Sequence, residues 1–76
     1  TFKPFVYAAA FMQGAKPTDT LPDKAIEIET EGGDVWRPTD SRPPSGRNIT
    51  LRSGLVYSKN IITAQLMMQA ARQKSL

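Results

Sequence analysis

The stretch Ile49-Thr50-Leu51-Arg52-Ser53-Gly54-Leu55-Val56-Tyr57-Ser58-Lys59-Asn60-Ile61-Ile62-Thr63-Ala64-Gln65-Leu66 decides how this chain folds. It carries two helix-like runs separated by three polar residues. Thr50 has the chemistry of an N-cap, because its hydroxyl can accept one of the orphan N–H groups at a helix start. Leu51, Leu55 and Val56 supply the apolar side of a short helix ending near Tyr57. Ser58-Lys59-Asn60 breaks the pattern. A second helix is expected from Ile61 to about Lys74, with Asn60 as its candidate N-cap. Ile62, Leu66 and Met67 lie on one of its faces, and Ile61, Ala64, Met68 and Ala71 on another. Met67 and Met68 suit core filling better than a ligand role.

Toward the N-terminus, residues 3–13 predict a first helix. Pro4 fits its first turn, where a missing N–H costs nothing. Phe2, Val6, Ala9 and Ala10 share one face by the i, i+4, i+7, i+8 rule. Phe5 and Met12 widen that face, and Tyr7 and Phe11 leave little of the surface polar. Such a helix is expected to be buried nearly all round. Gly14 is the natural residue to end it.

Between these helical regions, residues 15–24 read as a loop with Pro17, Asp19, Pro22 and Asp23 as turn formers. Residues 25–30 alternate, with Ile26 and Ile28 on one side and Glu27 and Glu29 on the other, as in a half-exposed strand. Glu31-Gly32-Gly33-Asp34 signals a hairpin turn, and Val35-Trp36-Arg37 the returning strand, stopped by Pro38. The carboxylates of Glu27 and Glu29 read as a solvated face rather than an acid–base pair. Residues 39–48 read as a surface connection within one domain.

The composition narrows the chemistry. The chain has 76 residues, no Cys and no His. Disulfides, thiolate metal sites and the commonest general base are all absent. No cofactor or metal is expected. The net charge of +3 is spread along the chain, and Arg72-Gln73-Lys74 is its densest basic segment. A nucleic-acid surface needs a tighter patch, so none is expected. No apolar run reaches bilayer-spanning length, and no secretory leader opens the chain. A core this small is marginal on its own. The missing initiator Met and a final helical pattern without a stop signal are those expected of a piece of a longer chain.

Without His or Cys, a Ser activated by a Lys is the remaining route to nucleophilic catalysis. A spacing of three places both on one helix face. Lys3 stands three residues after the position that precedes Thr1. A Ser there would read S-T-F-K at a helix N-terminus, where backbone N–H groups and the dipole stabilise developing negative charge. Thr1-Phe2-Lys3-Pro4-Phe5-Val6-Tyr7 resembles the segment that follows the nucleophile in penicillin-binding proteins, most closely the bifunctional class A peptidoglycan synthases. Ser58-Lys59-Asn60 is similar to the S-x-N motif of that superfamily, whose known set is S-x-x-K, S-x-N and K-T-G. Residues 23–38 resemble its small strand insertion with a W-x-P end. Ile49 to Leu55 resembles the helix leading into S-x-N, usually written T-L-R-x-A-L, and Ile61 to Leu66 the helix leaving it. The resemblance covers nearly the whole chain in one order, although no K-T-G occurs within it.

The resemblance implies an α+β fold, mainly the helical side of a β-lactamase/transpeptidase-like domain, with three helices, a small β-hairpin and the rest of the domain elsewhere. It implies a D,D-transpeptidase acting on D-Ala-D-Ala stem peptides and binding β-lactams. The partners would be the peptidoglycan stem peptide, β-lactam antibiotics and the remainder of the same domain. A glycosyltransferase domain and a membrane anchor would belong to the parent protein, which would face the bacterial periplasm. Lys3 would deprotonate the nucleophile. Ser58 would relay the proton to the leaving group. Asn60 would hydrogen-bond the substrate amide and help hold Lys3, and Lys59 would face solvent. Class D β-lactamases also use S-T-F-K, but Pro4 and Asn60 favour the synthase. Two other readings are an N-terminal hydrolase with Thr1 as nucleophile and a small basic helical binding module. The first calls for an opening strand, and the second for a chain that folds cooperatively alone.

Overall fold

The computed structural model describes residues 3–74, with side-chain surroundings for residues 3–70. Helix α1 spans Lys3–Met12, with Pro4 in its first turn as expected. Strand β1 is Thr20–Pro22, β2 Ile28–Glu29, β3 Val35–Trp36 and β4 Asn48–Thr50. Helices α2, Leu51–Val56, and α3, Asn60–Lys74, complete the order. The three helices and the β2–β3 hairpin agree with the α+β reading.

Helix α1 ends as its glycine dictates. Gly14 has φ 107°, the left-handed region open to a residue without Cβ. Its N–H donates to the Phe11 carbonyl and that of Ala15 to the Ala10 carbonyl, both at 3.1 Å. This pair of bonds is a Schellman cap, which satisfies carbonyls the helix leaves open.

The hairpin is shorter than expected. Only Ile28–Glu29 and Val35–Trp36 pair, antiparallel, around a turn in which Gly33 has φ 84°. Arg37 falls outside the strand and instead pairs with Glu27 at 3.2 Å, on the exposed face assigned to that carboxylate.

A second two-stranded sheet corrects the loop reading of residues 15–24. Thr20, Leu21 and Pro22 pair antiparallel with Thr50, Ile49 and Asn48. Three residues ending in Pro carry no alternation to read, and the partner strand lies far along the chain. The same region ties down the start of α2: Leu51 N–H donates to the Asp19 carbonyl at 2.8 Å and Arg52 N–H to the Pro17 carbonyl at 3.1 Å. These are helix-start donors that would otherwise lack partners.

The core forms where α1, α2 and α3 meet. Val6, Tyr7 and Ala10 pack with Leu51, Ile62 and Leu66, and Phe11, Ala15, Leu21 and Ile49 lean on this cluster. Gly54 of α2 is buried against α1 and α3. A Cβ there would meet Tyr7 Oη at 2.7 Å and Ile62 Cγ2 at 2.8 Å, so only glycine permits this approach. Other apolar residues expected inside are not covered. Phe5 is 79% and Met12 88% exposed, and Leu55, Val56 and Met67 also face out. Their sequence pattern promised more burial than 76 residues can deliver. Phe2 and the Ala71 side chain lie outside the described residues.

Candidate active site

The two stretches read as motifs from opposite ends of the sequence meet in space. Lys3 opens α1, and Ser58 follows α2. Lys3 Nζ donates to Ser58 Oγ at 2.6 Å and also to the Ser58 carbonyl. The contact spans 55 residues of sequence. It depends on α1 packing across α2 and α3, so the core residues Tyr7, Leu51 and Ile62 position it.

Ser58 sits in a conformation that its side chain resists. Its φ is 55°, the one positive φ of a non-glycine residue among those described. The reason is local. Ser58 N–H donates to the Leu55 carbonyl at 3.1 Å and Lys59 N–H to the Gly54 carbonyl at 2.8 Å. This is the Schellman cap of α1 repeated, with Ser58 where α1 has Gly14. An L residue in this region costs about 1–2 kcal/mol. The strain falls on the residue whose hydroxyl Lys3 Nζ contacts.

Lys59 corrects the expectation of a solvent-facing residue. Its side chain is only 18% exposed, and Nζ donates to Asp23 Oδ2 at 2.9 Å. Asp23 is fully buried and also accepts from Ser45 N–H at 3.1 Å and Ser45 Oγ at 2.8 Å. Burial alone raises the Asp23 pKa. The Lys59 ammonium and the two Ser45 donors outweigh that and hold the carboxyl below its ordinary value. Nothing local in the sequence marks Asp23 beyond a turn-former, because its partner lies 36 residues away.

Asn60 is the first helical residue of α3 rather than its cap. Its Nδ2 donates to the Thr39 carbonyl at 2.7 Å. Its backbone N–H, one of the orphan donors at the helix start, donates to Asp40 Oδ1. A carboxylate at a helix N-terminus is favoured by the dipole. Asp40 thus does the work expected of Asn60, from a loop that shows no capping signal. The hydrogen bonds of Lys3 go to Ser58 and not to Asn60.

Lys3, Ser58 and Asn60 nonetheless line one open cleft of about 640 Å³, together with Asp40, Arg42 and Tyr57. An apolar hollow of about 420 Å³ on the other side of Lys3 and Asn60 is walled by Trp36, Pro38, Ala64 and Met67. The arrangement presents a primary amine, a hydroxyl and a carboxamide to one space. Those groups suit proton transfer and hydrogen bonding.

The fold and this pairing define a class of protein, and comparison with known proteins agrees. The family model of the penicillin binding protein transpeptidase domain matches residues 1–76. The chain belongs to that family. It is 39% identical over 70 residues to penicillin-binding protein 1A of Neisseria gonorrhoeae, covering 90% of this chain and 9% of that protein. It is 37% identical over 70 residues to penicillin-binding protein 1A of Haemophilus influenzae, covering 92% of this chain and 8% of that protein. The crystal structure of penicillin-binding protein 1A from Haemophilus influenzae superposes with a TM-score of 0.82 at 38% identity, over 91% of this chain and 10% of that one. The chain thus spans about a tenth of the length of these relatives. Their names accord with the class A resemblance read from the motifs.

Proposed function

We propose that these residues form part of the active-site cleft of a serine D,D-transpeptidase that cross-links peptidoglycan. The single observation carrying this reading is the 2.6 Å contact of Lys3 Nζ with Ser58 Oγ, made across the cleft by the two stretches that match the family motifs. In this mechanism a Ser three positions before Lys3 attacks the carbonyl of the penultimate D-Ala of a stem peptide. Lys3 takes the Ser proton. Ser58, hydrogen-bonded to Lys3, passes a proton to the amine of the departing D-Ala, leaving an acyl-enzyme. An amine of a neighbouring stem peptide then attacks the ester, the C–O bond to the Ser breaks, and the Ser oxygen regains a proton as the amine loses one, leaving the cross-link as an amide. Asn60 binds the substrate amide. β-Lactams would acylate the same Ser. The parent protein would be anchored in the bacterial cytoplasmic membrane, act on its outer side, and carry a glycosyltransferase domain. The 76 residues alone would be silent.

Labelling the full-length protein with a fluorescent penicillin tests the reading. The adduct should map to a Ser three residues before Lys3, and Lys3→Ala should abolish it. Removing one proton-transfer group typically costs about 10²–10⁴-fold, so Ser58→Ala should slow labelling by at least the lower figure. An adduct elsewhere, or labelling unchanged in Lys3→Ala, would sink the proposal.

A further inference from the structure

We propose that Asp23 and Lys59 form a positioning pair that sets the placement of Ser58 and Asn60 in the cleft. The inference rests on the transpeptidase reading and adds residues to it. Lys59 stands between Ser58 and Asn60 and lines the cleft with them, while its ammonium is taken up by a partly buried ion pair. The ammonium ends 2.9 Å from a carboxylate that is fully buried.

The far end of this strut is itself held. Asp23 N–H donates to the Arg47 carbonyl, and Gly46 N–H to the Asp23 carbonyl, both at 2.8 Å. Ser45 adds two donors to the same carboxylate oxygen that receives Lys59. The anchor is therefore continuous with the end of the β1–β4 sheet, where Pro22 faces Asn48. The near end needs holding, because Ser58 adopts a left-handed conformation that an L side chain disfavours. Adjacent Cα atoms across a trans peptide are fixed at about 3.8 Å, so anchoring Lys59 limits where Ser58 and Asn60 can lie. Stability alone is a poor reason for the pair. Taking two charges out of water is often no better than packing apolar groups in their place.

The test uses the full-length protein and separates folding from acylation. Removing one partner strands a buried charge, whereas removing both does not. The double variant Lys59→Met/Asp23→Asn should therefore melt closer to wild type than either single variant. Stopped-flow acylation with a fluorescent penicillin gives the noncovalent binding constant and the per-site acylation rate separately. With the turn no longer anchored, the acylation rate should fall about 10- to 100-fold with binding little changed, as small misplacements of reacting groups do. Unfolded molecules lower the burst amplitude and leave the per-site rate alone. Loss confined to the amplitude, or a double variant acylating at the wild-type rate, refutes the positioning pair. Wild-type protein that is not acylated, or Lys3→Ala acylating normally, refutes the transpeptidase reading and this inference with it.

Discussion

Ser58 and Gly14 occupy the same position of the same helix cap, one with a side chain and one without. The comparison isolates what the serine costs. Ser58→Gly should relieve the left-handed strain and raise unfolding free energy by up to about 1 kcal/mol. The same change removes the hydroxyl that Lys3 contacts and should slow penicillin labelling by at least about 10²-fold, as expected for Ser58→Ala. Ser58→Ala keeps the strain and also loses the hydroxyl, so it should gain no stability. Denaturant melts of the two variants, read beside labelling, separate strain from function. Asp23 supplies a pH signature. Its folded pKa lies below its ordinary 3.8 because Lys59 and Ser45 outweigh the burial that raises it. A depressed carboxylate contributes stability that is fully present above its unfolded pKa, about pH 4, and lost as pH falls through the folded value. Unfolding free energy measured from pH 7 down to pH 2 should therefore drop below about pH 4 in wild type, and this component should be missing in Lys59→Met/Asp23→Asn. Lys59→Met alone strands the Asp23 carboxylate and should cost about 3 kcal/mol at neutral pH.

Helix α2 has only six residues, and its two ends and one close contact explain how it holds its place. At its start Thr50 Oγ1 accepts from Ser53 N–H at 3.1 Å. Thr50→Ala should cost about 1 kcal/mol, the usual loss of an N-cap. Midway, Gly54 lets α2 rest on Tyr7 and Ile62. Alanine is the better helix former by about 1 kcal/mol. Its Cβ would nonetheless meet two side chains at under 3 Å, so Gly54→Ala should destabilise by about 1–3 kcal/mol. Tyr7 Oη is buried without a hydrogen-bond partner and is one of the two atoms in the way. Adding Tyr7→Phe should recover part of the loss, and a double-mutant cycle on melting temperature would show the coupling. The sequence revealed this helix, its cap and its end through local chemistry. It did not reveal β1, because Thr20–Pro22 is a strand only by virtue of Asn48–Thr50.

Across the whole molecule, the apolar surface left uncovered is as informative as the core. Phe5, Met12, Val56 and Tyr57 are each more than two-thirds exposed. The chain spans about a tenth of the length of its relatives, and under the proposed function the rest of a transpeptidase domain would cover those side chains. The isolated 76 residues should accordingly bind a hydrophobic dye and melt without a sharp transition. A cooperative melt for the peptide alone would instead favour an independent module. Local order in the sequence sufficed for the three helices, the hairpin turn at Gly33, the Gly14 stop and the Thr50 cap. Each depends on residues within a few positions of one another. Motif matching also pointed to Lys3, Ser58 and Asn60, which the fold brings to one cleft. Tertiary structure alone decided the rest. It turned Lys59 inward onto Asp23, gave the start of α3 to Asp40, paired β1 with β4 and left Phe5 and Met12 exposed. Each of these turns on groups far apart in the chain, or on how much surface the neighbours can cover, and neither is written in the spacing of residues along one segment.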